Sequence, residues 1–294
     1  MIVHAQSSER AALVIGNQNY AIAPLDTPES DASAMANSLH SVGYRVTQVK
    51  NLKQSHFYDA VDNFFSGNKN AKVILFFYAG HAVQINGKNF LIPIDAQKED
   101  PDILSRMFDL RYLINKISES KAETKLVILD SCRDNLFSSH PNAANGLSEL
   151  LAPSGTFVAF STAPGATAAD GTGDNSPYTS ALLESLFRPG VKVEDAFKDV
   201  RRKVRFATEN EQTPWESTSL VQDFYIVPGK FKTGLSTAKN INRSVSKSQQ
   251  NNIAPTSSAG GGQDAKMCSR LMAKMSMGIT PLSSHEQSSL AKCH

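Results

Sequence analysis

The stretch Lys72 to Tyr78, KVILFFY, constrains the fold most, because its unbroken apolar run leaves no polar face for water. In an extended strand successive side chains point to opposite faces, so such a run has to be covered on both sides. A mainly parallel sheet between two layers of helices supplies that cover. Ala11 to Ile15 (AALVI), Lys125 to Leu129 (KLVIL) and Thr156 to Phe160 (TFVAF) repeat the pattern. Tyr44 to Val49 (YRVTQV) and Leu220 to Val227 (LVQDFYIV) read as two further strands.

Amphipathic stretches lie between these runs. Thr27 is placed to cap a helix with Pro28 at its first position, and Ala32, Met35, Ala36 and Leu39 recur at helical spacing until Gly43 stops it. A second helix carries Phe57, Ala60, Val61, Phe64 and Phe65 on one face, and a later one turns Phe197, Val200 and Val204 inward. The alternation predicts an α/β fold: a three-layer α/β/α sandwich with a mainly parallel six-stranded sheet and right-handed crossovers. Asn86-Gly87, between the alternating segments of AVQINGKNFLI, predicts a small β-hairpin after strand three.

Charge divides the chain. Residues 1–228 hold 21 Lys and Arg against 26 Asp and Glu, and the remainder holds 9 against 2. The basic part starts with a stretch rich in Ser, Asn, Gln and Gly that cannot bury enough apolar surface to order itself, so residues 229–265 read as a flexible linker. Aromatics are sparse there and no basic block forms, which favours a solvated tether over a nucleic-acid partner. Apolar runs are strand-length throughout, well short of the roughly 18 residues that suggest a membrane span.

Residues 266–294 read as two short helices around a turn at Gly278 to Pro281, too small to hold together by packing alone. Cys268 and Cys293 bracket them, and a disulfide between the two would staple the pair. Such a bond implies an oxidising compartment, periplasmic or secreted, with the cytoplasm as the alternative. The VHAQ stretch agrees: Val3 and Ala5 have the small-residue pattern of a signal-peptidase site, so residues 1–9 read as an N-terminal remnant ahead of a domain spanning 10–228, with an ordinary frayed terminus as the alternative.

The third cysteine has a different setting. In open α/β sheets the functional crevice lies beyond the carboxyl ends of the strands. The third strand ends in YAGHA, placing His81 just past its end, and the fourth ends in LDSCR, placing Cys132 in the same relation. On neighbouring strands the two side chains would overhang one edge of the sheet. A thiol with an imidazole in reach is the minimal equipment of a cysteine nucleophile, since the imidazole takes the proton and later returns it to the leaving group. Taken singly, each has a plainer reading: a small buried hydrophobe and a satisfied polar residue. No GxSxG, HExxH, CxxC or GxxxxGK[ST] motif occurs.

YAGHA and LDSCRD, with 51 residues from His81 to Cys132, resemble the His and Cys boxes of the caspase-like cysteine peptidases of family C14. The likeness is nearer to metacaspases and bacterial caspase-domain proteins than to animal caspases, and ALVIGNQNY, LIPIDA, DGTGDNSPYTSALL and QTPWESTSL extend it over about residues 10–228. It implies an endopeptidase acting on a protein or peptide substrate, with Cys132 as nucleophile and His81 as general acid and base. The oxyanion would lie against the backbone N–H groups of Cys132 and Ala82. The family usually has Gly where Ala82 stands; Ala supplies the same N–H but narrows the backbone freedom. No third catalytic side chain is implied, and a main-chain carbonyl is left to orient the imidazole.

Two acids resemble the S1 pocket of metacaspases: Asp31, in the first turn of the first helix, and Asp130, two residues before the nucleophile. An acidic, partly desolvated slot selects Arg or Lys through charge-assisted hydrogen bonds. Each acid also has a local reading, Asp31 as a helix-dipole carboxylate and Asp130 as a strand-end acid bonding nearby backbone. Asp170 and Asp174 in DGTGD are placed to line the groove, with Tyr178 facing it, or to bind a cation such as Ca²⁺, on which some metacaspases depend; DGTGD lacks EF-hand ligand spacing, and a Gly-rich turn is the favoured reading. No cofactor is otherwise required. The alternative function is a catalytically silent caspase-fold module that binds a peptide or protein partner. Oligomeric state is not legible in these features.

Overall fold

A computed structural model describes residues 9–98, 100, 102–131, 136–137, 142–144, 146–164 and 173–229. The chain divides into two units, 1–233 and 234–294, and the described residues all lie in the first. Cys132, Asp170, Cys268 and Cys293, and with them the linker beyond residue 229 and the C-terminal segment, lie outside the described residues.

In chain order the elements are β1 (Arg10–Gly16), α1 (Pro28–Ser41), β2 (Arg45–Lys50), α2 (Gln54–Gly67), β3 (Val73–Ala79), β4 (Ala82–Ile85), β5 (Lys88–Leu91) and α3 (Ile103–Arg106). They continue with β6 (Phe108–Asp109), α4 (Leu110–Glu119), β7 (Thr124–Asp130), β8 (Ala143–Ala144), β9 (Thr156–Phe160), α5 (Pro177–Leu186), α6 (Val193–Ala207) and β10 (Trp215–Thr218). The main sheet has the order β10-β9-β7-β3-β1-β2, parallel except for β10.

Strand periodicity divides the core into two layers. Ala12, Val14, Leu75, Phe77, Leu126 and Ile128 face one side, where they pack with Met35 of α1, Leu182 of α5 and Phe197 of α6. Leu13, Ile15, Phe76, Tyr78, Val127 and Leu129 face the other, against Phe57 and Val61 of α2 and Leu113 of α4. The run that looked covered on both faces is covered on both faces: Ile74 through Tyr78 are each at most 1% exposed. At roughly 25 cal/mol per Å² of apolar surface removed from water, this two-sided burial is the main favourable contribution to the fold.

Three expectations need correction. The sixth strand is β10, not Leu220 to Val227. In the latter segment Phe224 and Ile226 are buried on the α6 side of the core, while the backbone bonds to the start of α6 and the turn before it: Val193 N–H donates to Phe224 O and Gly190 N–H to Val227 O. Alternating burial therefore imitates a strand without a ladder. Trp215–Thr218 hid from a periodicity search because, at the sheet edge, none of its four side chains is buried. Thr27 precedes α1, but its side chain makes no capping hydrogen bond; its carbonyl accepts from Asp31 N–H at 2.9 Å. The hairpin, finally, is part of a larger four-stranded sheet, β6-β5-β4-β8. Its turn is as expected: Asn86 and Gly87 both take positive φ, 52° and 71°, as a two-residue hairpin of right-handed twist requires. This second sheet carries a third apolar cluster that includes Val83, Ile85, Phe90 and Ile92, together with Tyr20 and Leu25 from the connection between β1 and α1.

Candidate active site

β3 and β7 are adjacent and parallel, in a register that pairs Ala79 with Asp130. Gly80 N–H extends the ladder by donating to Asp130 O at 3.1 Å. His81 follows Ala79 by two residues, and Cys132 follows Asp130 by two. The expectation that the two boxes occupy corresponding ends of neighbouring strands is therefore met by the register, although Cys132 itself is outside the described residues.

His81 is 3% exposed. Its Nε2 lies 2.8 Å from Ala23 O. A carbonyl oxygen can only accept, so Nε2 carries the proton and, in the neutral ring, Nδ1 is the basic nitrogen. A main-chain carbonyl thus orients the imidazole, the arrangement left open by the absence of a third catalytic side chain. The Tyr20 ring lies against the imidazole, centroids 4.5 Å apart and tilted by 54°. The His81 main chain is held as closely: its N–H donates to Tyr20 Oη at 2.8 Å, and its C=O accepts from Tyr78 Oη at 2.7 Å and from Ile92 N–H at 3.0 Å.

Ala82 opens β4 opposite Leu91. Since the Ile92 N–H to His81 O bond marks the adjacent pair as the hydrogen-bonded one, Ala82 falls at a non-bonded position of the ladder and its N–H points away from β5. Its methyl is buried in the α2 side of the core, and Ala82 is absent from the residues of positive φ. The backbone freedom of glycine is not used there, so alanine costs the conformation nothing.

The two acids meet at the start of α5. Ser176 caps that helix by accepting from Thr179 N–H at 2.9 Å. Its backbone N–H donates to Asp31 Oδ1 at 3.0 Å, and its hydroxyl donates to Asp130 Oδ2 at 2.5 Å. Asn175 Nδ2 adds a 2.9 Å bond to Asp31, and Thr179 Oγ1 a 2.7 Å bond to Asp130. Asp31 is 1% exposed and Asp130 8%. Carboxylates this buried need such donors, and the positive end of the α5 dipole adds to them.

Other predicted site residues divide. Asp174 is exposed, and its carbonyl accepts from Ser30 Oγ, tying the loop before α5 to α1. Tyr178, expected to face the groove, is instead fully buried among the core residues between the sheet and α5. It lies on the helical face shared with Ala181, Leu182 and Leu186, and the packing stripe claims it. Among the described residues no group of three or more His, Cys, Asp or Glu is arranged to hold a metal ion.

Sequence reasoning missed Tyr20, the Ala23 carbonyl and the two hydroxyl donors, Ser176 and Thr179. GNQNY contained a signal for the first. Asn17, directly after β1 and fully buried, donates to Ile92 O and accepts from Leu52 N–H, which shows a turn built for support and not for solvent.

Residues 9–225 match the family model of the caspase domain, Peptidase_C14. Over 128 residues, 43% of the chain, it is 27% identical to the human mucosa-associated lymphoid tissue lymphoma translocation protein 1, and likewise to the mouse homolog. The matched part is 15% of the length of those proteins. Among solved structures, the Drosophila initiator caspase Dronc aligns with a TM-score of 0.55 at 13% identity, over 76% of this chain and 84% of that one, a likeness of fold.

Proposed function

This chain belongs to the caspase-domain peptidase family, and on that premise we propose that it is a cysteine endopeptidase with Cys132 as nucleophile and His81 as general base. In this reading Nδ1 of His81 takes the thiol proton, the thiolate attacks the scissile carbonyl, and the imidazolium returns the proton to the departing amine. Water then hydrolyses the thioester with the same imidazole as base. The N–H groups of Ala82 and Cys132 receive the oxyanion. The observation that carries the proposal is the 2.8 Å contact of His81 Nε2 with Ala23 O. That bond puts the basic lone pair on Nδ1, at the end of the strand whose neighbour leads into Cys132.

Asp31 and Asp130 support cleavage after Arg or Lys. Two buried carboxylates bridged by one serine concentrate negative charge at the end of β7, and a guanidinium or ammonium is the group that would compensate it. The unstrained Ala82 removes one reason to read the chain as a silent binding module; the other, a groove that a partner, an ion or a cleavage has to order, is met by the peptide assay.

The test uses the full-length protein under reducing conditions, with and without Ca²⁺, on fluorogenic peptides ending in Arg, Lys or Asp. Release after Arg or Lys, abolished in Cys132→Ala and His81→Ala, is expected. Release after Asp rejects the acidic pocket, and silence on every peptide in both ionic conditions rejects the peptidase.

A further inference from the structure

The main chain of His81 is held on both sides by two buried hydroxyls that the proposed mechanism does not use. Tyr78 Oη lies 2.7 Å from His81 O and 3.0 Å from Tyr20 Oη, and Tyr20 Oη is 2.8 Å from His81 N. Each hydroxyl has one proton. Tyr78 donates its own to the His81 carbonyl, which can only accept, so Tyr20 donates to Tyr78 and accepts from the His81 N–H. The three bonds close a ring around a single residue.

A trans peptide is planar, with its C=O and N–H pointing in opposite directions. Whatever fixes the His81 carbonyl therefore aims the Ala82 N–H. Tyr78 Oη and Ile92 N–H both donate to that carbonyl, leaving the Ala82 N–H directed away from β5. Donation to the carbonyl end of a peptide also polarises its N–H, making it a stronger donor. Tyr20 acts on the other half of the residue, anchoring the His81 N–H and packing its ring on the imidazole.

The fit around Gly80 shows that the ring occupies all the space available. A Cβ at Gly80 would stand 2.5 Å from Tyr20 Oη and 2.9 Å from Tyr78 Oη, at a φ of +149°. Both tyrosines are buried, at 2% and 0% exposure. Burial also pushes the Tyr78 hydroxyl well above the usual phenol range, so it remains a donor across the whole range in which a peptidase is assayed.

We propose that Tyr20 and Tyr78 are positioning residues of the active site, Tyr78 aiming and polarising the Ala82 N–H for the oxyanion and Tyr20 fixing the imidazole of His81. The proposal rests on the peptidase reading, and its test separates the two. In the full-length protein, Tyr78→Phe and Tyr20→Phe each remove one hydroxyl and keep the ring. Three quantities are compared with wild type: kcat and KM on the best fluorogenic peptide, the rate of Cys132 alkylation by iodoacetamide from about pH 5 to about pH 9, and the thermal midpoint.

Tyr78→Phe is expected to lower kcat by about tenfold to a hundredfold with KM unchanged. It should leave the alkylation profile in place, because alkylation develops no oxyanion. Tyr20→Phe should lower kcat and also displace the midpoint of the alkylation profile, which reports the thiol and imidazole alone. Unchanged kcat in both variants overturns the proposal, as does a loss that follows KM or the folded fraction. If one variant does not fold, the other decides; if neither folds, the hydroxyls serve stability and the proposal fails. Should wild type cleave no peptide, the peptidase reading falls by itself. The alkylation profile of Tyr20→Phe then remains the test: a displaced midpoint supports positioning, and superimposed profiles overturn it.

Discussion

Ser176→Ala breaks the joint between the two buried acids. Two losses are expected: the cap of α5, worth about 1 kcal/mol, and a hydrogen bond to a buried carboxylate, worth about 1.5–3 kcal/mol. Thr179 Oγ1 still serves Asp130, so the lower end of that range is the better expectation, about 2.5–3 kcal/mol in all. In a domain of this size each kcal/mol moves the thermal midpoint by about 2–4 °C, which gives a fall of about 5–12 °C. Denaturant unfolding of Ser176→Ala, Asp130→Ala and the double variant separates the terms. The cap cancels from the cycle, and the hydroxyl to carboxylate bond is left as a coupling of about 1–2 kcal/mol. A coupling within about 0.3 kcal/mol of zero would refute the reasoning, since the two side chains would then be stabilised independently.

Two further predictions concern titration. Burial alone would raise the carboxyl of Asp199, but the Ser185 hydroxyl and the cations Lys203, Arg188 and Arg202 hold it below the usual range. A lowered acid stabilises the fold above its unfolded pKa of about 3.9 and loses that contribution as pH falls through its folded value. Asp199→Asn should therefore flatten the stability profile below about pH 4 in urea unfolding; an unaltered acid limb contradicts the cluster's role. Lys125 presents the opposite case. Burial on central strand β7 lowers its ammonium, which donates to Ser154 O at 3.3 Å. A lowered base destabilises at neutral pH and less so as pH rises toward its unfolded value, so Lys125→Met should raise the thermal midpoint at pH 7 and gain less at pH 10.

Much of the fold was legible because apolar period reports burial directly. VILFFY and KLVIL announced central parallel strands, and the pairing of Ala79 with Asp130 then followed from their adjacency. Where burial and pairing separate, the pattern misled: Phe224 and Ile226 alternate inward without a ladder, whereas Trp215–Thr218 pairs with β9 and buries no side chain. At the site, His81 could be read from its place after a strand. The Ala23 carbonyl could not, since a main-chain acceptor leaves no mark in side-chain identity. Ser176 was legible as a helix start but not as the bridge between Asp31 and Asp130, because that role depends on three segments separated by 99 and 46 residues. Tyr178 shows the converse error, a polar-tipped residue assigned to the groove although the helical stripe had already placed it inside.

The bridge at Ser176 also has a consequence in time. Domains fold largely from the N-terminus as they are synthesised. β1, β2, β3 and β7 together occupy the chain up to Asp130, so the strands flanking the reactive ends can be made before the donors that hold Asp130 exist. Those donors arrive only with residues 176 and 179, at the start of α5. A nascent chain thus acquires the strands first and the donors that hold Asp130 last, an order in which, on the proposed reading, an unfinished peptidase would have nothing to grip.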